Sequence, residues 1–356
     1  MLCRIHVHYP PDRGQVGLRT ELDWDHDAEP TAVSADGSRL EYRLEAGEHR
    51  HFLRCKPVLH ADGGLVWGPG DDAFVPVGSP FVFEGYPYFF QTRGRVTDLI
   101  RIGSELGDPR DLRVYLPPGY DENELARFPV VYMQDGANLF LPEEAFAGQE
   151  WQVDETLHLL ESMRLMRRAI VVGIHSRERV AEYTKPGYTG YGLSLKDEVK
   201  PAVDTALRTL AGPSDTSVMG SSLGGVVAFY LGWQWPEVFG QVACLSSTFG
   251  FRDDLIERVQ HEPVDGARKD LKIYLDSGWP RDNYEETFQL ALALAERGFV
   301  YGRDVLHSAF PLERHTEAAW RERLHLPLQF LNGHVRRLSA ALRHSSPLAA
   351  GSPTYS

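Results

Sequence analysis

Residues 216–230 read TSVMGSSLGGVVAFY, and the hydrophobic period changes within this stretch. Val218 and Met219 continue a short apolar run of strand type, whereas Leu223, Val226, Val227, Phe229 and Tyr230 suit a nearly buried helix that ends before Pro236. The order is strand, turn, helix. Gly220-Ser221-Ser222-Leu223-Gly224 fits G-x-S-x-G, in which glycines let strand and helix approach closely while the serine occupies a strained, exposed turn. The pattern nominates Ser222 as a nucleophile; the alternative is a glycine-rich turn with no chemistry.

A serine hydroxyl is a poor nucleophile at neutral pH. It needs an imidazole to take its proton and a carboxylate to fix the tautomer of that imidazole. Downstream of Ser222 and before the tail stand His261, His307, His315 and His325. His307 falls in an expected strand and His325 in an expected helix, whereas His315, in the polar loop Glu313-Arg314-His315-Thr316-Glu317 between the last strand and the last helix, can reach the sheet's carboxyl edge and is the candidate base. For the acid, Asp282 lies in the loop Ser277-Gly278-Trp279-Pro280-Arg281-Asp282 beyond a strand, with Asp276 at the strand tip as the competitor. Asp282 could equally cap the helix that follows. The oxyanion needs two backbone donors. Leu223 is the candidate for one, and the loop carrying Asp135 and Gly136 for the other, with the side chains of Asp135 and Asn138 expected to brace that loop.

The rest of the chain reads as two regions and a tail. Residues 1–92 carry short alternating segments at 16–24, 50–57 and 73–77, separated by turns that include Asp36-Gly37 and Asp62-Gly63, as in a small β-sandwich. Trp24, Trp67, Phe83, Tyr86, Tyr88 and Phe89 are expected mainly in its core, the last few being candidates for a substrate groove at the junction. From residue 93 to 340 strands alternate with helices, the pattern of a mostly parallel sheet: strands at 112–116, 130–133, 169–174, 241–246, 271–276 and 303–310, and helices at 150–165, 196–210, 283–297 and 316–331. Residues 175–192 read as a long polar loop at a strand's carboxyl end, where such sheets bind ligands. His175, Arg177 and Tyr183 within it, and Trp279 beyond the later strand, are candidate substrate-wall residues. Residues 341–356, rich in Ser, Pro, Gly and Ala, are expected to be disordered.

Composition narrows the class. The 356 residues include 50 acidic and 37 basic side chains, a net charge of −13. That balance argues against nucleic-acid and anionic-membrane partners. The opening MLCRIHVHYPPDRG lacks the features of a signal peptide, so a cytoplasmic protein is expected. Cys3, Cys55 and Cys244 are too few and scattered for a disulfide framework or a cysteine metal site.

Several motifs together resemble the putative esterase family of α/β-hydrolases, which includes enterochelin esterases, esterase D, and acetyl and feruloyl xylan esterases. They are Leu116-Pro117-Pro118-Gly119-Tyr120, Tyr132-Met133-Gln134-Asp135-Gly136-Ala137-Asn138-Leu139-Phe140, Glu182-Tyr183-Thr184, Met219-Gly220-Ser221-Ser222-Leu223-Gly224-Gly225, Pro236-Glu237-Val238-Phe239-Gly240 and His315-Thr316-Glu317-Ala318-Ala319-Trp320. The resemblance covers about residues 96–335. It implies an α/β-hydrolase fold with Ser222 as nucleophile and His315 as base. The family's Gly-x-x-Asp segment is one residue longer here, which keeps both acids in play, and His175 stands where relatives often have an aspartate. Leu22-Asp23-Trp24-Asp25 and the turn near Trp67 look like the immunoglobulin-like module that precedes the hydrolase in enterochelin esterases. The expected function is a serine esterase without metal or cofactor, acting on a siderophore-type or other lactone. Sugar or glycan acetyl or feruloyl esters, acyl transfer, or ligand binding without catalysis are the alternatives. A homo-oligomer is left open.

Overall fold

The computed structural model describes residues 1–47, 49–102 and 109–333, so the expected tail lies outside the described residues. The N-terminal region forms two four-stranded sheets. One runs in the order Ala32–Val33, Arg39–Glu45, Leu2–His8, Phe83–Gly85; the other pairs Gln15–Thr20, Phe52–Ala61 and Gly64–Trp67, with Ala73–Pro76 also on Phe52–Ala61. Period-2 alternation along Leu2–His8 turns Cys3, Ile5 and Val7 inward, where they meet Val16, Leu18, Leu53, Cys55, Leu59 and Val75 of the other sheet in one core. Asp62-Gly63 makes the two-residue turn that pairs Ala61 with Gly64, and Gly37, with φ 75°, turns the chain between Ala32–Val33 and Arg39–Glu45. The aromatic residues depart from the expectation. Of the six, Phe89 is buried in this core; Trp24 and Trp67 lie at the surface, their rings 6.2 Å apart and under the guanidiniums of Arg54 and Arg19. Amphipathic rings can pack against cationic stems at a surface as well as in a core.

The large sheet has nine strands. Its order is Ile100–Ile102, Arg110–Leu116, Ile170–Ile174, Val130–Gln134, Thr216–Ser221, Gln241–Leu245, Lys272–Trp279, Val305–Pro311, with Arg95–Val96 on Arg110–Leu116. The six strands from Ile170–Ile174 onward are parallel; Arg110–Leu116 and its neighbours on the first edge run antiparallel. Ile170–Ile174, Val130–Gln134, Thr216–Ser221 and Gln241–Leu245 are buried at every position, as expected of strands covered by helices on both faces. Among the described residues no helix is long and apolar enough to cross a membrane.

Two regions of the sheet's surroundings differ from the sequence reading. Residues 175–192 are largely helical, with helices Arg179–Tyr183 and Gly187–Ser194, the second running on through a π segment into Lys200–Ala206. Tyr183, Tyr188 and Tyr191 are buried, and each hydroxyl finds a polar partner: Asp135 N–H, Asp254 and Gln134. The stretch looks polar by composition, yet its tyrosines bury their rings once those hydroxyls are satisfied. The helix expected at 316–331 is two, Glu317–Arg323 and His325–Asn332, with Pro327 in the first turn of the second, where a missing N–H costs nothing.

The N-terminal sheets are tied to the large sheet by a buried carboxylate. Glu122 accepts from the Phe89, Phe90 and Gln91 N–H groups at 2.7, 2.9 and 2.9 Å and from the Tyr9 hydroxyl at 3.1 Å. Asn123 Nδ2 donates to His8 O and Pro87 O, and Arg168 donates to Tyr86 O.

Candidate active site

Ser222 sits between the strand Thr216–Ser221 and the helix Leu223–Gln234 with φ 54° and ψ −122°. That conformation is strained for a residue with a side chain and is held by its surroundings. One restraint is the hydrogen bond from Ser222 N–H to Leu245 O, 2.9 Å. The others are steric. A Cβ on Gly220 would stand 2.5 Å from the backbone of Gly224, and one on Gly225 would stand 1.8 Å from Ser247 Oγ. Strand and helix can approach this closely only with glycine at those positions. The Ser222 hydroxyl has no hydrogen-bond partner among the described residues and is free for a ligand.

Of the two candidate acids, Asp282 meets the histidine. His315 Nδ1 lies 2.7 Å from Asp282 Oδ1, and the ring stands edge-on to Trp320 with centroids 5.0 Å apart. The Asp282 side chain is fully buried, whereas that of His315 is 36% exposed, so the ring bridges a sealed carboxylate and the open edge of the sheet. Asp282 also accepts from Gly278 N–H at 2.8 Å, Asn283 N–H at 2.9 Å and the Ser246 hydroxyl. Burial by itself would raise this carboxyl; the bonds from His315, Ser246, Gly278 and Asn283 outweigh it and hold the group at about 2.

Asp276 faces elsewhere. It pairs with Arg323 Nη2 at 3.1 Å and accepts from the Tyr274 hydroxyl at 3.0 Å. Burial pushes its carboxyl up to about 6 despite those partners. Ser246 joins the two carboxylates: its backbone N–H donates to Asp276 Oδ1 at 3.3 Å, while its hydroxyl donates to Asp282 and accepts from Trp320 Nε1 and Arg323 Nη2 at 3.0 and 2.6 Å. Sequence reasoning passed over Ser246, Trp320 and Arg323 as supports of the acid; only the position of Ser246 at a strand's carboxyl end could have signalled it.

The loop carrying Asp135 and Gly136 is braced by an ion pair. Asp135, in the left-handed region at φ 57°, lies 2.9 and 3.0 Å from Arg179 Nε, and Arg179 Nη2 reaches Ser221 O at 3.3 Å. One nominated donor is lost here: Asp135 N–H already donates to the Tyr183 hydroxyl at 3.2 Å. Gly136 and Leu223 each open a helical turn, where N–H groups have no intrahelical acceptor. Glu317, two residues beyond His315, accepts from Asn138 Nδ2 at 3.2 Å; burial and the nearby charge of Asp135 push its carboxyl up to about 7.

The nominated wall residues scatter. Tyr183 is buried and braces Asp135, so it is core and not wall. His175 lies against the loop carrying Gly136, where a Cβ on Gly136 would meet His175 Cδ2 at 2.7 Å, and its Nε2 is buried without a partner; burial lowers its pKa. Arg177 and Trp279 are exposed.

Residues 103–325 match the family described as "Putative esterase". The chain is 24% identical over 214 residues to "Uncharacterized protein YbbA" of Bacillus subtilis (strain 168), a likeness covering 53% of this chain and 80% of that protein. Among solved structures, a ferulic acid esterase superposes with a TM-score of 0.57 at 18% identity, covering 67% of this chain and 98% of that one. Enterochelin esterase from Shigella flexneri superposes with a TM-score of 0.54 at 17% identity, covering 89% of this chain and 87% of that one. These structures share the α/β-hydrolase fold found here. With the family match spanning well over half of the sequence and including the turn at Ser222, the chain belongs to the putative esterase family, whose reaction class is the hydrolysis of carboxylic esters.

Proposed function

We propose that the chain is a serine esterase in which Ser222 attacks the ester carbonyl and carries the acyl group. The hydroxyl proton passes to His315 Nε2, which has no hydrogen-bond partner among the described residues, and then to the departing alcohol. Asp282 keeps the other ring proton on Nδ1 and stabilises the imidazolium. The N–H groups of Leu223 and Gly136 receive the oxyanion. Water, activated by the same histidine, then releases the acid. The observation that carries this reading is the 2.7 Å contact of His315 with a sealed, strongly ionised Asp282 in a chain whose Ser222 has the strained backbone of an elbow.

The substrate class we favour is a lactone of the siderophore type. The support is the extent of the likeness to Shigella flexneri enterochelin esterase, which takes in most of the chain, while the likeness to the ferulic acid esterase stops at 67% of it. Feruloyl and acetyl esters of sugars are the second reading. Purified protein and a Ser222→Ala variant are assayed side by side on p-nitrophenyl acetate, a feruloyl ester and a macrocyclic trilactone. Turnover of the trilactone well above the other two, lost in the variant, is expected. Activity that survives Ser222→Ala removes the nucleophile assignment, and a preference for the feruloyl ester reverses the order of the two substrate readings.

A further inference from the structure

On the outer face of the N-terminal sheet, far from the elbow in the sequence, two imidazoles converge on one carboxylate. His6 and His8 are two apart on the central strand Leu2–His8, so period-2 alternation puts both on the face opposite the buried Cys3, Ile5 and Val7. The parallel pairing of Phe83–Gly85 places Glu84 directly beside His6. His6 Nδ1 stands 3.1 Å from Glu84 Oε1 and His8 Nε2 stands 2.6 Å from Glu84 Oε2, and one ligand atom from each of the three residues lies within 4.8 Å of the others.

We propose that His6, His8 and Glu84 form a binding site for a divalent transition metal of the zinc class, with the remaining position open to water. Two imidazole nitrogens and one carboxylate oxygen are a donor set zinc accepts in three-ligand sites, and one that magnesium and calcium disfavour. In tetrahedral zinc the donors stand about 3.3 Å apart, from bond lengths near 2.1 Å. The two histidine–Glu84 contacts, 3.1 and 2.6 Å, are shorter than that, so a metal would push the Glu84 carboxylate outward, and its side chain, 45% exposed, has room to move.

The surroundings hold the two rings in place. His8 stacks on Tyr86 with centroids 4.7 Å apart, and its carbonyl is bound by Asn123. The other nitrogen of His6 faces the Glu41 carboxylate of the neighbouring strand at 4.0 Å, within ion-pair distance. Position gives the ion a role. Phe83–Gly85 is an edge strand of three residues, and the chain leaving it carries the Tyr86 and Phe89 to Gln91 contacts with Arg168 and Glu122. A metal joining Glu84 to His6 and His8 would clamp that edge strand where the N-terminal sheets meet the large one.

The experiment uses tag-free, full-length protein stripped with a chelator and titrated with ZnCl2 by calorimetry, with Co2+ absorption reporting coordination geometry. One zinc per chain is expected, with visible bands of tetrahedral Co2+ and a rise of a few degrees in melting temperature at saturating zinc. Glu84→Gln and His8→Ala should each weaken binding tenfold or more, while His315→Ala, remote from these residues, should leave it intact. Absence of stoichiometric binding in the parent overturns the proposal. So does binding of equal affinity in Glu84→Gln, whose similar shape keeps the apo fold, or loss of binding in His315→Ala.

Discussion

Replacing Asp282 by asparagine keeps the shape of the side chain and changes only what its oxygens can do. In the folded protein both oxygens meet donors: Oδ1 accepts from His315 and Asn283 N–H, and Oδ2 from Gly278 N–H and the Ser246 hydroxyl. The Ser246 oxygen already accepts from Trp320 and Arg323, so its own proton points at Asp282. An amide NH2 therefore faces a donor in either orientation. Turned toward Gly278, it opposes an N–H. Turned toward His315, it donates to Nδ1 and leaves the proton on Nε2, the tautomer that cannot accept from Ser222. The expected fall in kcat/KM is ~10³ to 10⁴, or about 4 to 5.5 kcal/mol of transition-state stabilisation. Loss of a carboxylate held at about 2 against an ordinary 3.8 should also cost roughly 2 kcal/mol of stability. Rates on p-nitrophenyl acetate and urea denaturation measure the two effects separately. Asp276→Asn is the control. Its partners are Arg323 and Tyr274, so it should act on stability and leave kcat/KM of the folded protein within about tenfold. The opposite ranking, with Asp276→Asn crippling turnover and Asp282→Asn nearly silent, would refute the reasoning.

Tyr183→Phe removes the acceptor for Asp135 N–H and should cost about 1 to 2 kcal/mol in urea denaturation with KM unchanged; a raised KM at full stability would restore Tyr183 to the substrate wall. Arg179→Leu leaves the Asp135 carboxylate without its counter-charge and should destabilise by roughly 2 to 3 kcal/mol, below the range for sealed pairs because Arg179 is partly exposed. Gly220→Ala forces a Cβ against the Gly224 backbone and should cost about 3 kcal/mol or more, read as a lowered melting temperature. The folded-state pKa of Asp282 lies below its ordinary value, so its contribution is complete above 3.8 and disappears as pH falls through about 2. Acidification across that window should lower the melting temperature of the parent more than that of Asp282→Asn.

How much was legible in the sequence follows from the range of each signal. The elbow was, because its chemistry is local: Gly220, Gly224 and Gly225 are needed within one turn of Ser222, and the change from strand to helix period marks that turn. The parallel sheet was legible from strands buried on both faces, such as Val130–Gln134 and Ile170–Ile174. The tyrosine segment was not, since whether Tyr183, Tyr188 and Tyr191 line a loop or a core depends on partners elsewhere, Asp135, Gln134 and Asp254.

The acid shows the division most clearly. Sequence alone put Asp276 and Asp282 near one strand end and favoured Asp282 without eliminating Asp276, because both lie within reach of a downstream histidine. The strand runs on to Trp279, which keeps Asp276 inside the sheet opposite Ser308 and beside Arg323, and the chain then turns so that Asp282 receives the Gly278 N–H and the His315 ring. The same holds for His6, His8 and Glu84, whose meeting is decided by the pairing of the first strand with a strand more than seventy residues later. Local sequence determined the elbow and the layers of this protein; strand length and register, which depend on what each strand pairs with, decided which carboxylate meets which histidine.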